Sequence, residues 1–103
     1  MIRYKFKYIF SDDELNRLII QEQPKKGIRI RADVHGMKCI QARRFINNII
    51  NIARCSFQLT IIHGFNHGKA IKDMLANDFC NHYVTAHFSD SRNQGITYMF
   101  ITV

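Results

Sequence analysis

The feature that most constrains this chain is a change of period at a glycine. Between residues 27 and 36 apolar residues fall at every second position, Ile28, Ile30, Ala32 and Val34, and Arg29, Arg31, Asp33 and His35 lie between them. Neighbouring side chains on a strand point to opposite faces, so this pattern is a strand with one apolar and one charged face. Gly36 ends it. Between residues 37 and 54 the period lengthens: Phe45, Ile49, Ile52 and Ala53, flanked by Ile46 and Ile50, form a stripe at helical spacing, with Arg43, Arg44 and Arg54 opposite. A run of β-branched and aromatic residues over 57–62 follows. Strand, helix and strand in that order close into a parallel pair through a right-handed crossover.

The pattern then repeats in shorter form. Ala70, Ile71, Met74 and Leu75 define an apolar helix face, with Lys69 and Lys72 turned to water. Residues 83–89 and 96–103 read as two strands joined by a polar turn, an antiparallel pair that finishes the sheet. The unit over 27–103 is therefore expected to be an α/β two-layer sandwich: a four-stranded mixed sheet with two helices on one face and the other face open to a ligand. Ahead of it, Ile2, Tyr4, Phe6, Tyr8 and Phe10 alternate with Arg3, Lys5, Lys7 and Ile9, predicting an N-terminal strand. Ser11 with Glu14 forms a capping box, predicting a short helix to about Gln21 that buries Leu15, Leu18 and Ile19. Pro24 and Gly27 break that helix, so residues 1–26 are expected to be an extension set apart from the domain over 27–103.

At 103 residues, 47% apolar, the chain has material for one core. No apolar run is long enough to cross a bilayer and Met1 is followed by charges, so an intracellular, cytoplasmic protein with no membrane partner is expected. Cys39, Cys55 and Cys80 are odd in number and lack Cys-x-x-Cys spacing, which argues against disulfides and a zinc ribbon. The net charge of +7 favours a polyanionic partner.

Two loops carry the chemistry. Asp33 and His35 share a strand face, so the carboxylate can bind one imidazole nitrogen and fix the role of the other, as general acid–base catalysis requires. The plainer alternative is that Asp33 caps the following helix or pairs with Arg31. The second loop, His63-Gly64-Phe65-Asn66-His67-Gly68, joins a parallel strand to a helix opening at Lys69. The first amides of a helix have no partner within it and form a seat for phosphate. Gly64 and Gly68 allow close approach to an anion, and Asn66 tolerates positive φ.

The paired histidine-glycine loops resemble the Smr (small MutS-related) domain family, whose signatures are an aspartate-leucine-histidine-glycine motif and a later histidine-glycine-x-glycine-x-glycine loop. They stand here as Asp33-Val34-His35-Gly36 and His63 to Gly68, and Gly95-Ile96-Thr97-Tyr98 looks like the family's closing glycine-valine-threonine strand. The likeness covers residues 27–103. It implies a βαβαββ sandwich similar to the C-terminal domain of bacterial translation initiation factor three, and an endonuclease that nicks DNA or cleaves RNA with the two motifs lining its site. By that resemblance Asp33, His35 and Gly36 carry over from the first motif, and His63, Gly64 and Gly68 from the second. Val34 for leucine keeps a core residue; Asn66 replaces the loop's middle glycine.

The expected site thus has Asp33, His35 and His63 as catalytic groups, and Gly36, Gly64, Asn66, Gly68 and Lys69 holding phosphate. Arg29, Arg31, Lys38, Arg43 and Arg44 are expected to contact nucleic acid. One histidine would deprotonate the nucleophile and the other protonate the leaving oxygen. With RNA the 2′-hydroxyl can attack and no metal cofactor is required; with DNA water attacks and Asp33 could hold a divalent ion such as Mg. The alternatives are a binding module for DNA, RNA or the ribosome without catalysis, and an interaction domain. The chain would be a monomer or a weak homodimer through residues 1–26.

Overall fold

The computed structural model describes residues 2–65 and 69–103. Its elements run α1 (Ile2–Ile9), α2 (Asp12–Asn16), β1 (Leu18–Gln23), β2 (Gly27–Asp33), α3 (Cys39–Ala53), β3 (Phe57–Ile62), α4 (Lys69–Asn77), β4 (Val84–Ser89) and β5 (Ile96–Ile101). They form an α/β fold around one mixed sheet of five strands in the order β1-β2-β3-β5-β4. The pair β2 and β3 is parallel, as the crossover through α3 requires, and every other neighbouring pair is antiparallel.

The domain part follows its patterning closely. In β2, β3 and β5 one parity is buried, Ile30 and Ala32, Phe57, Leu59 and Ile61, Thr97, Met99 and Ile101. Against it pack Phe45, Ile46, Ile49 and Ile50 of α3 and Ile71, Met74 and Leu75 of α4. Ala70, expected in this core, is exposed.

Two expectations at the N-terminus fail. Residues 2–9 are a helix, not a strand. The same apolar residues satisfy both periods, because Ile2, Phe6 and Phe10 are four apart as well as members of an alternating set. In the helix those three are buried, while Tyr4 and Tyr8 stand out in solvent with ring centroids 5.6 Å apart. Phe10 packs edge-on against Phe6 and against Phe45 of α3. A strand would have put all five of these side chains on one face, and the outer edge of β2, which such a strand could have joined, is already occupied.

That edge is occupied by β1, the second departure. The capping box at Ser11 is present, with the Ser11 amide donating to Glu14 Oε1 at 3.0 Å and the Glu14 amide to Ser11 Oγ at 3.2 Å. The helix stops at Asn16, however, and Leu18 to Gln23 form a strand antiparallel to β2. Pro24 fits the second position of the turn closed by Lys26 N–H to Gln23 C=O at 3.1 Å, and Gly27 follows at φ +79°. The glycine and proline mark a hairpin turn rather than a boundary between separate bodies. The sheet has five strands instead of four for this reason, and three helices, α1, α3 and α4, build its covered layer.

Candidate nucleic-acid site

The ends of β2 and β3 lie side by side, with the Val34 amide donating to the Ile62 carbonyl at 2.8 Å. Both loops therefore leave the sheet on one rim, where ligands of α/β sheets are held. At the first corner, Met37 N–H reaches back to Val34 C=O at 3.1 Å, and Gly36 at φ +81° takes the left-handed third position of that turn. The turn leaves Asp33 and His35 near each other on the exposed side. His35 Nδ1 lies 2.5 Å from Asp33 Oδ1, and the His35 amide donates to the same oxygen at 3.1 Å. A carboxylate can only accept, so Nδ1 carries the hydrogen and Nε2 is left with a free lone pair. The imidazole is largely exposed, with 70% of its side-chain surface in solvent. Partial burial raises the Asp33 pKa, but hydrogen bonds from the His35 ring and amide, the charge that His35 gains when protonated and the charge of Arg17 outweigh it, and the carboxyl titrates below its ordinary range.

Arg17, which had no place in the sequence-based site, holds this corner together. Its Nη1 donates to the carbonyls of Asp33 at 3.2 Å and His35 at 3.1 Å, and its own carbonyl accepts the Asp33 amide at 2.9 Å. Arg17 Nε is buried and faces the Asp13 carboxylate at 3.5 Å. With Asn16, Ile19, Arg31, Asp33 and Ile62, Arg17 lines a small cleft of about 230 Å³. Nothing in residues 11–21 marks this arginine once they are taken for one helix; only the pairing of β1 with β2 brings it here.

The second corner is built differently. His63 keeps the buried parity of Phe57, Leu59 and Ile61 and is 1% exposed. Its Nδ1 donates to the Gly64 carbonyl at 2.8 Å, and its Nε2 accepts from the Thr97 hydroxyl at 2.8 Å. Burial lowers its pKa, against a smaller opposing effect from the Gly64 hydrogen bond, so the ring is held neutral. The expected catalytic role of His63 is corrected accordingly: both nitrogens are occupied and the ring lies under the sheet, while Asp33 and His35 lie on the other side. It orients the loop. Gly64, at φ +76°, and His63 both donate backbone N–H groups to the Gly95 carbonyl, at 3.1 and 2.9 Å.

The remaining expected contacts divide. Arg29 and Arg31 stand exposed on the uncovered sheet face, and Lys38 is exposed at the start of α3, just past Gly36. Arg43 and Arg44 are exposed on α3, in the layer that covers the opposite face, so one ligand on the uncovered face cannot meet both sets. Lys69 is exposed at the first turn of α4. Asn66 and Gly68, expected to hold phosphate, lie outside the described residues.

A hollow of about 500 Å³ at the opposite end of β2, lined by Ile2, Lys5, Glu22, Pro24, Ile28 and Cys55, is larger than the Arg17 cleft. No histidine lines it, and burial pushes the Cys55 thiol up, away from nucleophilic use. Chemistry rather than size therefore selects the rim. Among the described residues no group of three His, Cys, Asp or Glu is placed to hold a metal ion, and no helix is long and apolar enough to cross a membrane. Comparison with family models, with curated proteins and with solved structures finds no match.

Proposed function

We propose that this chain is a Smr-like nucleic-acid-binding domain that cleaves phosphodiester bonds at the rim formed by Asp33 and His35. The observation that carries the reading is the exposed aspartate–histidine pair. Its carboxylate fixes the imidazole so that Nε2 faces solvent as a base; Arg17 and Arg31 line the cleft beside Asp33, and exposed Lys38 follows three residues after His35, cations suited to phosphate charge. With RNA as substrate, Nε2 takes the proton of a 2′-hydroxyl, the 2′-oxygen attacks the adjacent phosphorus, and the 5′-oxygen leaves. With His63 turned into the core, the proton for the leaving oxygen comes from the imidazolium of His35 or from water. The closing-strand resemblance also gains a physical sense, since Gly95 and Thr97 are the residues that seat the His63 loop.

The test is incubation of the purified chain with structured RNA and with supercoiled DNA, each with and without a chelator. A His35→Ala variant should lose cleavage by about 10²-fold or more while still binding. Equal cleavage by that variant would remove catalysis from this site. Binding without cleavage by the parent chain would favour the non-catalytic alternative.

A further inference from the structure

The sheet face not covered by helices is ordered in a way that neither loop motif uses. Strand registers place Arg29, Gln58 and Phe100 on one rung across β2, β3 and β5. The next rung carries Arg31, Thr60 and Tyr98, with Phe88 of β4 beyond. A third begins at Asp33. Each of the first two rungs thus presents a cation on β2, a hydrogen-bonding side chain on β3 and an aromatic ring on β5. Phe88 and Phe100 are 48% and 39% exposed, large apolar surfaces left in water. Phe88 lies 5.5 Å from the Tyr98 ring and 5.8 Å from Phe100, so the three rings form one patch. Tyr98 is fixed in place by its hydroxyl, which donates to Asp90 Oδ2 at 2.6 Å. A shallow groove of about 530 Å³, lined by Arg29, Arg31, Gln58, Thr60 and Tyr98, runs over this face.

We infer that this face is a platform for single-stranded nucleic acid, whose bases stack on Phe88, Tyr98 and Phe100 while its phosphates lie over Arg29 and Arg31. No carboxylate stands on the first two rungs, and Asp90, beside Ile96 on the third, is engaged by Tyr98, so the charge of the two rungs suits a polyanion. The aromatic and cationic columns are two strand spacings apart, about 10 Å, which places base and phosphate of one nucleotide over different columns. Consecutive rungs are about 7 Å apart. That is roughly twice the 3.4 Å step of a stacked strand, so nucleotides following the rungs must be unstacked from one another. A single strand allows this and offers its base faces to aromatic rings; a duplex does not. The third rung then leads the strand to Asp33 and His35, so this inference rests on the proposed function and adds the class of substrate.

The test uses the whole chain and fluorescence anisotropy of a short labelled oligouridine, its deoxy counterpart and a duplex of the same length. The Phe88→Ala, Phe100→Ala double variant should bind both single strands about tenfold or more weakly, with duplex binding unchanged. The Phe88→Tyr, Phe100→Tyr double variant should retain single-strand affinity. Phe88→Ala alone, on the edge strand, should show part of the loss and guards against a folding defect in the double variant. Equal single-strand affinity for parent chain and both alanine variants would overturn the platform, assign the exposed rings to another kind of partner, and leave the Asp33–His35 reading standing. A parent chain that binds neither single strand nor duplex would overturn both.

Discussion

At the scale of single residues, the two histidines of the loop motifs differ in everything that governs proton transfer. His35 is exposed with one nitrogen committed to Asp33, whereas His63 is enclosed with both nitrogens committed. Their pH signatures should differ too. A carboxyl whose folded pKa is depressed adds stability above its ordinary pKa, and that stability is lost as the pH falls through the folded value. Asp33→Asn should therefore flatten the part of the stability curve below about pH 4, read by urea unfolding. For His63 the unfolded ring binds protons more readily than the folded one, so stability is full above its ordinary value of 6.5 and falls as pH drops below it. His63→Asn should remove that slope even as it lowers stability at neutral pH. Sequence alone shows that both loops carry histidine and glycine at strand ends, and the two-residue spacing offers the pairing of Asp33 with His35 beside the alternatives of a helix cap or a pair with Arg31; the hydrogen bond between them is what the structure adds. It could not show that His63 continues the buried parity, because a histidine next to glycine at a strand end fits either side of the sheet until Thr97 is placed opposite.

At the scale of elements, the weight falls on residues 2–23. Ile2, Phe6 and Phe10 belong to the core and β1 completes the sheet, so this segment is part of the fold and not an accessory. Phe6→Ala should cost about 3–5 kcal/mol, measured by chemical denaturation. A chain starting at Gly27 should lose helix content and aggregate, since it bares β2 as an unpaired edge and removes Arg17 from the rim. Gly95 is a second element-level dependency. A Cβ there would lie 3.1 Å from Cα and C of Gly64, and backbone cannot move aside as a side chain can. Gly95→Ala should destabilise by about 1–3 kcal/mol and disturb the His63 loop. The elements of 27–103 were legible because each apolar stripe fits one period only. Residues 2–10 fit two, and Leu18-Ile19-Ile20 is short enough to serve helix or strand, so the choice there was made by what the sheet edge required.

At the scale of the whole molecule, charge is distributed by layer. Arg29 and Arg31 lie on the uncovered face and Arg43 and Arg44 on the helical side. A polyanion following the uncovered face should displace counterions at roughly three to five phosphates, giving a slope of log affinity against log salt of about −2 to −4 for a single strand. Arg29→Gln with Arg31→Gln should make that slope shallower by about 1–2, whereas Arg43→Gln with Arg44→Gln should leave it nearly unchanged. Titrations at several salt concentrations decide between the layers.

Strand β5 follows β4 in the chain yet sits between it and β3. During synthesis, then, the middle of the sheet is made after its border. Until residues 96–101 have emerged, β3 has no neighbour on that side and the patch formed by Phe88, Tyr98 and Phe100 cannot assemble. The polypeptide is thereby committed to late, all-at-once closure, and ribosome-bound nascent chains arrested before residue 96 should remain protease-sensitive where longer ones resist.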